Sequence, residues 1–177
     1  MDELSVSLAV LVQERAIERT VHRYCRGIDR LLPDVVRSCF HPDAVDDHGG
    51  TARGRDDFVD WVFGLLATYG STMHLVGNLL VDVHDDVALA ETYGVAFHRG
   101  PDGEPFEARR NLVTGFRYVD RFSKRDGRWA IEHRVATTEW SRVDDLEGRW
   151  SFPDTMRRGA RDASDPIHWL VPEVTDR

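Results

Sequence analysis

Cysteine is nearly absent: Cys25 and Cys39 are the only two in 177 residues, and they do not stand in C-x-x-C spacing. That excludes a disulfide scaffold and a thiolate zinc site, and both are expected as buried thiols. A positive excess is missing too. Lys and Arg number 23 against 31 Asp and Glu, for a formal net charge of -8 and a sequence pI near 5.4. Nucleic acid and anionic membranes need basic surface, so neither is the expected partner. No apolar run approaches the ~20 residues of a membrane helix. The acidic start Met1-Asp2-Glu3-Leu4 lacks the basic, then apolar, order of a signal sequence, so a cytoplasmic location is expected. There is no glycine-rich phosphate loop after a strand and no His-x-x-x-His pair; no metal and no organic cofactor is expected.

What is present fits one compact domain, with 41% hydrophobic and 31% charged residues. Leu4 to Leu32 contains no proline, and Ile17, Val21, Tyr24, Ile28 and Leu31 paint one stripe, which predicts a long amphipathic helix ended by Pro33. Pro33 can open a short second helix through Phe40. His41 to Gly54 reads as a loop with a short strand around Ala44 to Asp47. Its Asp43, Asp46, Asp47 and His48 fit a solvated acidic loop better than a metal site, which needs tighter spacing. Asp56 and Asp57 open a third helix with Phe58, Val62, Leu65, Leu66 and Tyr69 as its buried stripe and Gly70 as its closing glycine.

Thr72 to His84 alternates as a strand. Met73, Leu75, Gly77, Leu79, Val81 and Val83 form one apolar row, and the other row carries His74 and Asn78 among aliphatic residues. The following strand, Val87 to Arg99, has one face of small residues, Ala88, Ala90, Thr92, Gly94 and Ala96. A two-residue turn at Asp85-Asp86 sets His74 opposite Phe97 and Asn78 opposite Tyr93, and sends His98 to the other face; one extra residue would reverse this. A loop from Gly100 to Gly103 leads to a third strand from about Glu107 to Lys124. The Asp126-Gly127 pair predicts a hairpin to a fourth strand, Arg128 to Thr138, which pairs Arg121 with Glu132 and sets Asp120 beside His133 as a surface pair.

Helices first and strands after indicate an α+β domain over residues 1–141: a cone-shaped barrel made by a strongly curved antiparallel sheet, covered by the N-terminal helices. Residues 142–177 are expected as an irregular tail pinned by Trp150, Phe152, Ile167 and Trp169. The wholly apolar row of the Thr72 strand needs a cover that three helices cannot supply, so a homodimer through the open sheet face is expected.

The ordered motifs Y-C-R-G-I-D-R, F-H-P-D-A-V, D-H-G, T-M-H-L-V-G-N, E-T-Y and Y-V-D-R-F-S-K-R-D-G-R-W-A-I resemble the SnoaL-like family of the scytalone dehydratase and nuclear-transport-factor-two-like superfamily, over about Val12 to Trp140. The resemblance implies a dehydratase-type pair, a helix aspartate with a strand histidine, at Asp29 and His74, and a helix tyrosine at Tyr24. The chemistry stands beside it. Removing a proton next to a carbonyl suits imidazole, a carboxylate on its other nitrogen fixes the tautomer, and a phenol can bond the developing oxyanion. Asn78, Tyr93, Phe97, His98, Arg134 and Trp61 are the substrate-binding candidates. Other readings stay open: Asp29 pairing with Arg26 on the helix surface, His74 as a core histidine bonded to a backbone carbonyl, Arg134 as one of several strand charges, and the aromatics as core.

Two function classes follow. One is a cofactor-independent lyase, cyclase or isomerase acting by general base catalysis on a small polycyclic, polyketide-like or steroid-like molecule. The other is a non-catalytic binding or oligomerising domain, such as the small subunit of a ring-hydroxylating oxygenase. Three titratable groups converging on one pocket favour the first.

Overall fold

The computed structural model describes residues 3–100, 111–144 and 153–170. Helix α1 (Glu3–Asp29) buries Ile17, Val21, Tyr24, Cys25 and Ile28 along the stripe that the three-four spacing predicts. It stops at Asp29. Leu31 takes a φ of 54, the left-handed geometry usually left to glycine past a helix end, and the Leu32 amide donates back to the Gly27 carbonyl at 2.9 Å. Pro33 then opens α2 (Pro33–Cys39). Burial pushes the Cys25 thiol up to about 12 and that of Cys39 to about 11, so both remain protonated core groups.

Helix α3 (Arg55–Leu66) buries Phe58, Val59, Val62 and Leu66. It ends earlier than its apolar pattern predicts, with Leu65 exposed. Gly70 does not cap it: the Gly70 amide donates to the Arg99 carbonyl at 2.9 Å and so begins the next pair of strands. No helix among the described residues is long and apolar enough to cross a membrane.

Strands β1 (Phe40–His48), β2 (Thr51–Gly54), β3 (Ser71–His84), β4 (Val87–Arg99), β5 (Asn111–Arg125) and β6 (Arg128–Asp144) form one curved sheet in the order β2-β1-β6-β5-β4-β3. The fold is α+β with a cone-like sheet, as expected, but the sheet is open and mixed. β1 runs parallel to β6, and β2 and β3 are the edges. The stretch His41 to Gly54 is therefore a hairpin and not a loop. Its turn is Gly49-Gly50, at φ 65 and 74, the two-residue geometry that only residues without a Cβ adopt cheaply. Residues 101–110, including Pro101 and the first part of the expected third strand, lie outside the described residues.

Two of the sheet's one-residue bulges move residues singled out in the sequence. The β3/β4 ladder starts as predicted, with His84 opposite Val87, but shifts between Val76 and Leu79. Below the shift Leu79, Val81 and Val83 face inward; above it Thr72, His74 and Val76 do. His74 consequently sits opposite Ala96, not Phe97, and shares the concave face with His98. The second bulge, between Arg121 and Phe122, places Asp120 opposite Arg134 and not His133. His133 is exposed while Asp120 and Arg134 are both buried, so Asp120 belongs to no surface pair.

Residues 153–170 are held by polar bonds. Arg30 reaches Asp165 at 2.6 Å, and Arg161 donates to the carbonyls of Asp29, Leu66 and Tyr69. Of the expected pins, Ile167 and Trp169 are exposed; Trp150 and Phe152 lie outside the described residues.

The small face of β4 explains how the concave wall is built. A Cβ on Gly94 would collide with the Phe116 ring, whereas one on Gly77 would meet nothing. Gly94→Ala should therefore lower stability by ~1–3 kcal/mol, the range for overpacking, and Gly77→Ala should stay within ~0.5 kcal/mol; urea unfolding of the two variants checks this.

Candidate active site

A cavity of about 160 Å3 lies between the helices and the concave sheet. Tyr24 and Ile28 of α1 close one side, Trp61, Val62 and Leu66 of α3 another, and His74, His98, Phe116 and Tyr118 line the sheet. Asp29 and His74 meet at its end. The His74 ring Nδ1 is 2.7 Å from Asp29 Oδ1, and the His74 backbone N–H donates to Oδ2 at 2.8 Å. Both carboxylate oxygens are thus engaged by one residue, and Arg26 is not the partner. Burial works against ionisation of Asp29, but the ring and backbone bonds from His74 outweigh it and hold the carboxyl below its ordinary 3.8. An ionised Asp29 can only accept, so Nδ1 carries the proton and Nε2 is left as the reactive nitrogen.

Around the pair, His98 packs edge-on to His74 at 5.9 Å between ring centroids. Burial lowers its basicity, and the neighbouring His74 adds to the effect; Nδ1 of His98 is buried without a partner. Tyr24 lines the cavity but is only 1% exposed, and burial raises its phenol, which leaves a neutral O–H. Trp61 stands at the mouth with the Arg53 guanidinium 4.1 Å over its ring.

The other candidates lie elsewhere. Asn78 and Tyr93 are exposed on the convex face, and Phe97 is half-buried there beside Met73, because the bulge carries His74 to the opposite side. Arg134 is 0% exposed and sits behind the cavity wall. Its guanidinium lies 4.1 Å from the Tyr24 ring centroid and 4.0 Å from that of Tyr118, and it donates two bonds of 2.7 Å to Asp120. A wider cleft of about 810 Å3 opens on the far side of Asp29, against residues 156–162, but His74 and His98 do not line it.

Several site residues escaped the sequence reading. Arg161 donates to Thr72 Oγ1 at 3.0 Å and to the Asp29 carbonyl at 3.1 Å, bracing the pair from behind. His48 lines the cavity and bonds a fully buried Asp46 at 2.8 Å; the Gly49-Gly50 turn was the signal that β1 ends there. Asp43, by contrast, turns outward to Arg125, so the acidic residues of this stretch do not converge.

The Asp29 bonds carry a sign that can be checked. A carboxyl held lower in the folded chain than in the unfolded one adds stability above the unfolded value, and loses it as pH falls through the folded value. Asp29→Asn should lower the thermal midpoint at neutral pH, and the gap from the wild type should close as the pH drops below about 4; thermal scans across that range measure it.

No curated protein matches the chain. Among solved structures, a protein of Novosphingobium aromaticivorans provisionally named a scytalone dehydratase is 23% identical, with a TM-score of 0.68 over 86% of this chain and 99% of that one. A hexachlorocyclohexane dehydrochlorinase of Novosphingobium barchaimii, LinA type 3, is 18% identical, with a TM-score of 0.70 over 83% and 99%. A Novosphingobium aromaticivorans protein provisionally named an aromatic ring hydroxylase is 20% identical, with a TM-score of 0.67 over 76% and 94%. At these identities the likeness is one of fold. Residues 9–135 match the SnoaL-like domain, and the chain, with its cone-like sheet and helix-capped cavity, belongs to that family.

Proposed function

We propose that the protein is a cofactor-independent lyase or cyclase of the dehydratase type, in which His74 removes a proton next to a carbonyl and Asp29 orients it. The observation that carries this is the 2.7 Å contact between His74 Nδ1 and Asp29 Oδ1 at the end of a cavity. Nε2 takes the proton, Asp29 stabilises the imidazolium that forms, and the neutral Tyr24 hydroxyl is the donor offered to the developing oxyanion. The family includes non-catalytic members, and a binding domain has no requirement for this pair.

The volume narrows the substrate. An engineered cavity of ~150 Å3 accommodates benzene, so a cavity of about 160 Å3 takes one ring. A polycyclic, polyketide-like or steroid-like molecule would insert a single ring toward His74 and leave the remainder at the mouth by Trp61.

Dehydration of a β-hydroxycyclohexanone, followed by enone absorbance, tests the reading. His74→Ala and Asp29→Asn should each lose about 10² to 10⁴ in rate, and Tyr24→Phe should lose less. Full turnover in a folded Asp29→Asn protein ends the proposal. Saturable binding of the ring without turnover by the wild type would favour the non-catalytic alternative.

The working unit is proposed as a homodimer. Leu75, Leu80, Leu89 and Trp140 are 62%, 61%, 50% and 47% exposed on the convex face, an apolar surface of the kind that marks an interface. Light scattering should return twice the chain mass of 20.2 kDa; the single chain mass at every usable concentration would contradict it.

A further inference from the structure

The same cavity holds a second histidine gripped by a second carboxylate. His48 Nδ1 lies 2.8 Å from Asp46 Oδ1, and Asp46 is 0% exposed. The His48 ring stacks on Phe58 from α3, 5.4 Å between centroids and 24° between planes. It also meets Tyr118 at 5.8 Å. From the other end, His74 meets Phe116 at 5.8 Å, and Phe116 meets Tyr118 at 4.5 Å. Phe116 and Tyr118 therefore form a floor with a histidine-carboxylate pair at each end. A ring lying on that floor has one edge toward each imidazole.

The charges behind the two pairs differ. Asp46 stands opposite Arg134 in the β1/β6 ladder, but Arg134 is already bound by both oxygens of Asp120. Oδ2 of Asp46 has no partner among the described residues, and its Oδ1 holds the His48 ring. Behind Asp29 the neighbours are instead the Thr72 hydroxyl and, at its carbonyl, Arg161.

We infer that His48, positioned by Asp46, is the general acid that protonates the departing oxygen in the elimination for which His74 is the base. The assignment rests on the base role of His74. Nε2 of His74 takes the proton from the carbon next to the carbonyl, and the C–H electron pair becomes the new C=C bond. The C–O bond breaks with its pair on oxygen, and the Nε2–H of His48 delivers the proton that makes water. The proton then sits on His74, and exchange with solvent restores the starting state.

Leaving-group dependence separates this role from a structural one, because hydroxide needs a proton to depart and chloride does not. The full chain and its His48→Gln, Asp46→Asn and His74→Ala variants are compared on β-hydroxycyclohexanone and β-chlorocyclohexanone. Exchange of the α-hydrogens of cyclohexanone with deuterium from heavy water is followed in parallel. His48→Gln should lose about 10²-fold or more on the alcohol and stay close to the wild type on the chloride and in exchange. Asp46→Asn should show the same split, and His74→Ala should fail in all three. Equal losses on alcohol and chloride, or no loss on the alcohol, overturn the acid role of His48 and leave the base role standing. A wild type inactive on both probes and in exchange overturns the base role, and the acid role with it.

Discussion

A guanidinium buried at 0% exposure is the constraint from which the interior follows. Placing Arg134 away from water costs several kcal/mol unless its donors and its charge are met. Asp120 meets two of the donors, and the rings of Tyr24 and Tyr118, nearly perpendicular to each other, meet the cation from two adjacent sides. Those two rings are also part of the cavity lining. The electrostatic demand of Arg134 thus fixes the aromatic surface on which a ligand would lie. Burial pushes the Asp120 carboxyl upward while Arg134 pulls it back, and Arg134 stays a cation because Asp120 offsets its own desolvation. Nη1 of Arg134 and Oδ2 of Asp46 remain unpartnered in the same buried layer, a polar seam behind the cavity and not part of its surface.

The Asp29 carboxylate plays the corresponding part at the open side. β3 is an edge strand with β4 on one flank only. Asp29 bonds its backbone and its His74 ring together, so the groups that orient the imidazole also fasten α1 to the strand. Arg161 reaches the same corner from the tail and ties the ends of α1, α3 and the start of β3 into one node. An imidazole whose Nδ1 and whose own backbone N–H are both held by one carboxylate loses little entropy on adopting a reactive geometry.

Much of this was legible in the chain. The α1 stripe, the helix-then-strand order and the Asp29 and His74 positions follow from periodicity, residue chemistry and the ordered motifs. What was not legible traces to the two bulges and one turn. Val76-Gly77-Asn78-Leu79 reads as unbroken alternation, and a bulge leaves no mark on hydropathy, so Asn78 and Tyr93 were grouped with His74 although the strand turns them outward. The shift near Glu132 likewise hid Arg134 behind a count that named His133. Asp46 looked solvated because its burial depends on β6, about ninety residues later, running parallel beside it, and long-range pairing of that kind has no local signature.

The placement of chemistry and of the entrance on different elements has a consequence for specificity. His74, His98, Phe116 and Tyr118 stand on strands β3 to β5, where ladder bonds and, for the edge strand β3, the Asp29 bonds hold them. Trp61 and the exposed Leu65 stand on α3 at the mouth, a twelve-residue helix that rests mainly on β1, β2 and α2. Side chains on a rigid wall keep the sub-ångström geometry that proton transfer demands, while a short helix on a hairpin can shift without disturbing it. Residues of α3 are accordingly where relatives of the same fold could exchange substrates while keeping the wall, and under the proposed reaction the size of the group at Trp61 would set how much of a molecule beyond its first ring the cavity admits.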